Sequence, residues 1–167
     1  MANRVIKSRA RNSSLQLSDC LASLLALELI SPSRRLYLLS PWISDMALLS
    51  SRFGQFRAIM PELGSTELRL AGVLTALAER GAEIRVLCRR GHAYTEAFLR
   101  SLPGEVQWRY IDTLHEKGLI GDHFYLRGSM NFTYSGVNLN DESVELTTEP
   151  SEIALALAEA DQLWELS

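Results

Sequence analysis

Apolar positions along this chain follow two alternating rhythms. Leu70, Val73, Leu74, Leu77 and Ala78 recur at three- and four-residue steps, which puts them on one helical face, and Gly81 ends the run. Glu83–Cys88 (EIRVLC) follows directly and has the short apolar character of a buried strand. The same pairing of helix and strand recurs. A segment from about Ser18 to Ile30 predicts an amphipathic helix, and Arg35–Trp42 (RLYLLSPW), set off by Pro32, predicts a strand. Tyr94–Leu102 predicts a helix closed by Pro103-Gly104, followed by an alternating strand at Val106–Ile111. Short strands are expected at Gly118–Gly121, Phe124–Arg127 and Ser143–Thr147. The tail from Pro150 to Trp164 predicts a last helix, with Ile153, Leu157, Ala160 and Trp164 along one side. Residues 43–66 keep no clean period and hold Gly54, Pro61 and Gly64, so they predict a long loop with at most one helical turn. Helices that separate strands in this way predict an α/β fold, a mixed β-sheet sandwiched by helices.

Composition narrows the picture. The chain has 167 residues, 47% hydrophobic and 22% charged, which suits one ordinary globular domain and excludes whole-chain disorder or coiled coil. Seventeen basic against 20 acidic side chains give a net charge of -3, so bulk charge does not coat nucleic acid, although a local basic site remains open. Cys20 and Cys88 lie far apart and predict reduced, largely buried thiols rather than a zinc knuckle or a disulfide framework. Arg4, Lys7, Arg9 and Arg11 predict a basic N-terminal arm over residues 1–17, with the domain proper at 18–167. The apolar run CLASLLAL after it is bracketed by Asp19 and Glu28 and is too short to span a bilayer. No small-x-small cleavage site follows, so export is the weaker alternative and a cytoplasmic location without membrane association is expected.

The candidate chemistry lies in residues 115–142. His115 and Lys117 are two apart, which on a strand places both side chains on one face. Asp122 follows, then Gly128-Ser129-Met130-Asn131, a turn whose hydroxyl, amide and backbone N–H groups suit an anion. Glu142 precedes the next strand. As phosphoryl-transfer chemistry the set is complete. His115 serves as nucleophile or general acid/base, and Lys117, Ser129 and Asn131 hold non-bridging phosphate oxygens. Glu142 orients the imidazole in one tautomer. The plainer readings are a satisfied core histidine at His115, and solvated charge at Arg89, Arg90 and the basic arm instead of phosphate contacts. No HExxH or GxSxG is present, which argues against a zinc hydrolase or a serine hydrolase. His92 and His123 read as loop and turn residues. Trp42, Trp108 and Trp164 read as core, with a base-stacking groove at Trp42 and Tyr134 as the alternative.

These residues resemble the phospholipase D superfamily, whose hallmark is HxK, four residues, Asp, then a short gap and GSxN. Here they are His115-x-Lys117, Asp122 and Gly128-Ser129-x-Asn131, and Glu142 stands where the family's bacterial single-motif nucleases place a Glu. The five-residue gap between Asp122 and Gly128 is one shorter than the usual pattern. The resemblance implies a metal-independent phosphodiesterase with no cofactor, acting through a phosphohistidine intermediate. It also implies a structural role for Asp122. In that family two HxK motifs meet at one site, whereas this sequence has one, so a two-fold homodimer with facing copies of His115 is expected. The segment SPWISD, together with the motif region, is similar to phospholipase D-like proteins of bacterial phage-defence and DNA-modification cassettes. That likeness points to DNA and to defence-system protein partners. Two alternatives remain: a phospholipid phosphodiesterase, and a catalytically weak binding or scaffold subunit of a defence complex.

Overall fold

Strand order explains why chemistry-bearing residues gather where they do. The computed structural model describes residues 3–7, 14–50, 58 and 67–167. Within these, strands β1 (Arg4–Lys7), β2 (Arg35–Leu39), β5 (Glu83–Cys88), β6 (Val106–Tyr110), β7 (Gly118–Ile120), β8 (Tyr125–Gly128) and β9 (Ser143–Thr147) form one sheet in the order β1-β9-β8-β7-β2-β5-β6. β2, β5 and β6 run parallel, and β7, β8, β9 and β1 continue the sheet antiparallel. The helices are α1 (Ser14–Ile30), α2 (Leu70–Glu79), α3 (Ala93–Ser101), α4 (Tyr134–Asn138) and α5 (Pro150–Glu165). The expected α/β sandwich with a mixed sheet is the observed one.

The period-two alternation of the strands splits the core in two. Leu36, Leu38, Ile84, Val86, Leu119 and Leu126 point to the side covered by α1 and α2. Tyr37, Leu39, Leu87 and Ile120 point to the other side, where α5 lays down Ala156, Ala160 and Trp164. In α1, Leu17, Leu21, Leu24, Leu25 and Leu29 are buried at helical spacing. Each stabilises the fold by about 2 kcal/mol through burial. Gly81 ends α2 at φ +91°, a left-handed conformation that glycine adopts without a steric penalty.

Several expectations change. The basic segment does not stand apart as an arm: Arg4–Lys7 pairs antiparallel with β9, Lys7 opposite Ser143, and α1 begins at Ser14 rather than Ser18. The backbone hydrogen bonds along the β9 edge outweigh the weak strand signal of a charged tetrapeptide. Arg9 and Arg11 lie outside the described residues. The expected loop over 43–66 holds β3 (Ala47–Ser50), which pairs with β4 (Glu67–Arg69) in a second small sheet; residues 51–57 and 59–66 lie outside the described residues. Trp164 is core, but Trp108 is 41% exposed because β6 is an edge strand. Cys20 and Cys88 are both free thiols, and Cys88 is buried.

Candidate active site

The carboxyl ends of parallel strands are where α/β sheets place ligand crevices. Here that end of β2 and β5 meets the start of the antiparallel β7, since Leu39 pairs with Gly118. His115 and Lys117 precede β7 in a segment without regular structure and are not themselves laddered, so the expectation that both stand on a strand needs correction. His115 is exposed, Lys117 half-buried. The Lys117 ammonium donates to the His115 carbonyl at 2.9 Å, which fixes the spacing between the two side chains. Arg89, just after β5, brings its Nη2 within 3.1 Å of both imidazole nitrogens. A guanidinium only donates, so the imidazole nitrogen it engages is an acceptor.

The β7–β8 hairpin then delivers Gly128. Gly118 pairs with Arg127, and Gly128 donates its N–H to the Lys117 carbonyl at 3.2 Å. The short gap after Asp122 is closed by a tight turn in which Gly121 N–H reaches Phe124 O at 3.0 Å. The hairpin therefore brings Gly128 beside Lys117 despite the missing residue. A Cβ on Gly128 would sit 2.1 Å from the Ser143 carbonyl oxygen, which no side chain tolerates, so glycine is required by close backbone approach. His115, Lys117, Gly128, Tyr125 and Val5 line one cavity of about 530 Å³.

Beyond Gly128 the chain bends at Ser129, and burial then alternates. Met130 and Phe132 are buried, while Ser129 is exposed and Asn131 half-buried. The Ser129 hydroxyl donates to the Glu142 carboxylate and accepts the Ser143 N–H at 3.0 Å. Asn140 donates to the other Glu142 oxygen at 3.3 Å. Ser129 and Glu142 thus form a pair at the mouth of the β8–β9 connection. Asn131 lines a second, larger cavity of about 760 Å³ together with Trp42, His92, Tyr94 and Tyr134.

The organisers of that second cavity carried no sequence signal. The fully buried Ser40 hydroxyl lies 2.7 Å from the Trp42 carbonyl and 3.3 Å from Asn131 Oδ1, and it accepts the Phe132 N–H at 3.2 Å. Ser40 thereby ties the end of β2 to the GSMN segment. Thr95 accepts the Ile43 N–H at 3.0 Å and holds the same turn against α3. His92, expected in a solvated loop, packs against Trp42 with ring centroids 5.0 Å apart.

Other expected site residues lie further out. Arg90 faces Asp112 at 3.8 Å and stacks over Tyr110, on the rim toward β6. Asp122 lies at the opposite end of β7 from Lys117. Its carboxylate accepts Arg34 N at 3.0 Å and Arg34 Nε at 3.2 Å, while its own N–H donates to Ser33 Oγ at 2.8 Å. His123 is an exposed turn residue. Cys88 ends β5 next to Arg89, but burial pushes its thiol up to about 12, which makes it a packing group and not a nucleophile. Among the described residues no cluster of three or more His, Cys, Asp or Glu side chains is arranged to hold a metal ion. None of the described helices is long and apolar enough to cross a membrane.

Residues 47–164 match the family model described as cardiolipin synthase, PLD-like domain. No curated protein sequence matches the chain. Among solved structures, the fold is similar to Nuc of Salmonella typhimurium, a phospholipase D family member, with a TM-score of 0.63 at 14% identity over 98% of this chain and 94% of that one. NucT from Helicobacter pylori is similar with a TM-score of 0.62 at 16% identity, over 98% and 96% of the two chains. The archaeal chromatin protein TrmBL2, described as binding DNA in a novel mode, is similar with a TM-score of 0.52 at 13% identity, over 99% of this chain and 53% of that one.

Proposed function

Because the chain belongs to the phospholipase D-like family, a class of phosphodiester hydrolases, we propose that it is a metal-independent endonuclease whose working site forms between two copies of the chain. The observation that carries this reading is the exposed His115 beside Lys117 and Gly128, at the carboxyl end of the parallel strands. That is half of a two-histidine site, open to the outside. In the reaction one His115 attacks phosphorus and forms a P–N bond. The leaving alcohol takes its proton from the His115 of a second copy. That second imidazole then removes a proton from water, the water oxygen attacks phosphorus, and the P–N bond breaks to release a phosphomonoester. Lys117 and Asn131 stabilise the charge on the non-bridging oxygens. Arg89 and the Ser129–Glu142 pair flank the incoming phosphate.

Nucleic acid is the favoured substrate. The net charge of -3 gives no bulk attraction, so local groups must supply it. Lys7 supports this, because β1 carries it exposed to the Ser143 side of the site. Similarity in fold to two Nuc-type chains over nearly their whole length agrees with the reading, as does the likeness to a chromatin protein that binds DNA. A cytoplasmic location and defence-system partners belong to the same proposal.

The test is subunit mixing. Wild type and His115→Ala are co-refolded in equal amounts and assayed on plasmid DNA in EDTA. A site that needs both histidines leaves about a quarter of the wild-type activity after random pairing, whereas independent sites leave about half. A linear fall with wild-type fraction, or loss of wild-type activity in EDTA, overturns the proposal.

A further inference from the structure

The larger cavity, beside Asn131, has an aromatic wall. The Trp42 and His92 rings lie 5.0 Å apart at 33°, and the His92 and Tyr94 rings follow at 5.7 Å. Tyr134 lines the same space and is 59% exposed, and Tyr94 is 72% exposed. Buried Phe98 lines it from the core side. Ring faces left open to water in this way gain free energy from any flat apolar partner. Polar side chains line the same space: Ser44, Asn131, Thr133 and Ser135. Their hydroxyl and amide groups can both donate and accept, which suits a ligand with a polar edge.

Charge narrows the ligand. Among the described residues the cation lining this cavity is Arg69, which is paired with Asp45 at 3.1 Å and with Glu67 at 3.2 Å. The described lining therefore offers stacking and a hydrogen-bonding edge rather than a free positive charge, which suits a heteroaromatic ring better than an anionic headgroup. In a duplex a base has its faces covered by neighbours and its edge by the complement. Only an unpaired base offers both.

Position ties the cavity to the reaction. Gly128 lines the His115 cavity and Asn131 lines this one, and three residues of chain span at most about 11 Å. We infer that the Trp42–His92–Tyr94–Tyr134 cavity is a base-stacking subsite that takes an unpaired nucleobase next to the scissile phosphate. The preferred substrate is then single-stranded nucleic acid. This inference rests on the nuclease reading above and adds strandedness to it.

Binding tests it without relying on turnover. A short fluorescein-labelled oligothymidylate is titrated into His115→Ala, with and without Trp42→Ala or Tyr134→Ala. Each added substitution is expected to weaken binding at least about fivefold, the usual cost of losing one base–aromatic stack. An abasic strand of equal length should bind the His115→Ala protein as weakly, and the annealed duplex should lose affinity in the same way. Tyr134 is 59% exposed, so its replacement leaves folding intact if Trp42→Ala does not fold. Unchanged binding by Tyr134→Ala, or equal affinity for abasic and normal strands, overturns the inference. So does quenching of Trp42 fluorescence by short-chain phosphatidylcholine but not by the oligonucleotide. Hydrolysis of bis(p-nitrophenyl) phosphate by the wild type, a probe with no base, judges the phosphodiesterase reading separately. Base-dependent binding without hydrolysis overturns that reading and keeps the subsite, and hydrolysis with base-independent binding does the reverse.

Discussion

The two ends of strand β7 place halves of one motif in different surroundings. At its start, His115 is exposed and Lys117 is half-buried, and their side-chain contacts among the described residues are local or thin: the Lys117 ammonium on the His115 carbonyl, the His115 N–H on the Glu116 carboxylate, and the Arg89 guanidinium beside the imidazole. At its end, Asp122 is bonded on three sides, to Arg34 N, Arg34 Nε and Ser33 Oγ. Behind Asp122, Ser33 donates from N and Oγ to the buried Glu28 at 2.8 and 2.9 Å. Nearby, Arg35, Arg85, Tyr37, Glu83 and Asp161 form a closed network of ion pairs and hydrogen bonds under α5. Only four residues, the three of β7 and Gly121, separate the two settings. One end keeps donors and an imidazole available, and the other spends its polar groups on holding the strand in place. The spacing between Lys117 and Asp122 therefore couples the proposed reactive end to an anchored one.

Substitution at the reactive end should show the largest effect, and on activity alone. Lys117→Ala is expected to lower kcat on DNA by about 10²–10³-fold, or about 3–4 kcal/mol of lost transition-state stabilisation. Its unfolding free energy from urea melts should shift by no more than about 0.5 kcal/mol, because among the described residues the side chain bonds to the His115 carbonyl at the surface. A large stability loss with the same fall in kcat would erase the contrast between the ends.

Substitution at the anchored end should do the opposite. Asp122→Ala removes the acceptor of the Arg34 backbone N–H and is expected to destabilise the fold by about 2 kcal/mol. The exposed Arg34 side chain adds little, since an ion pair with one partner 94% exposed is worth a few tenths of a kcal/mol at most. Denaturant melts measure the loss. The folded fraction should keep its activity within a few-fold, and a loss of kcat as deep as that of Lys117→Ala would place Asp122 in the chemistry.

The contrast also marks what a single sequence can carry. His115, Lys117, Gly128, Ser129 and Asn131 stood out as candidates because their spacing is local, within one hairpin and its exit. β5, β9 and α5, whose periods are long enough to read, were legible. α4 was not, because five residues around Gly136 carry no helical period; its Thr133 cap, which accepts Gly136 N–H at 3.1 Å, helps to define it. β1 was hidden for a different reason: RVIK becomes a strand through its partner β9, 136 or more residues away in the chain. Ser40, His92 and Thr95 act across 91, 50 and 52 residues of separation or through ring contacts, so nothing in their own neighbourhoods announced them. The pairing of Glu142 with Ser129 has the same origin: it is set by β8–β9 register rather than by sequence spacing.

The smallest effect should come from the network under α5, and it depends on pH. Tyr37 is fully buried; its hydroxyl donates to Asp161 at 2.6 Å and accepts from Arg85 at 2.7 Å. Burial, helped by the Asp161 hydrogen bond, pushes this hydroxyl up from 10 to about 12. The folded state thus favours the protonated phenol. The resulting stabilisation is complete below pH 10 and is lost as the pH rises through about 12. Tyr37→Phe lacks the hydroxyl and should be less stable by about 1 kcal/mol at neutral pH. Its deficit against wild type should then shrink across the window from 10 to about 12, since ionisation costs the wild type alone. Paired urea melts below pH 10 and within that window measure the difference. A deficit that stays constant through the window would mean that the hydroxyl is not held between Asp161 and Arg85, and the anchored end would then lack the closed network that sets it apart from the reactive one.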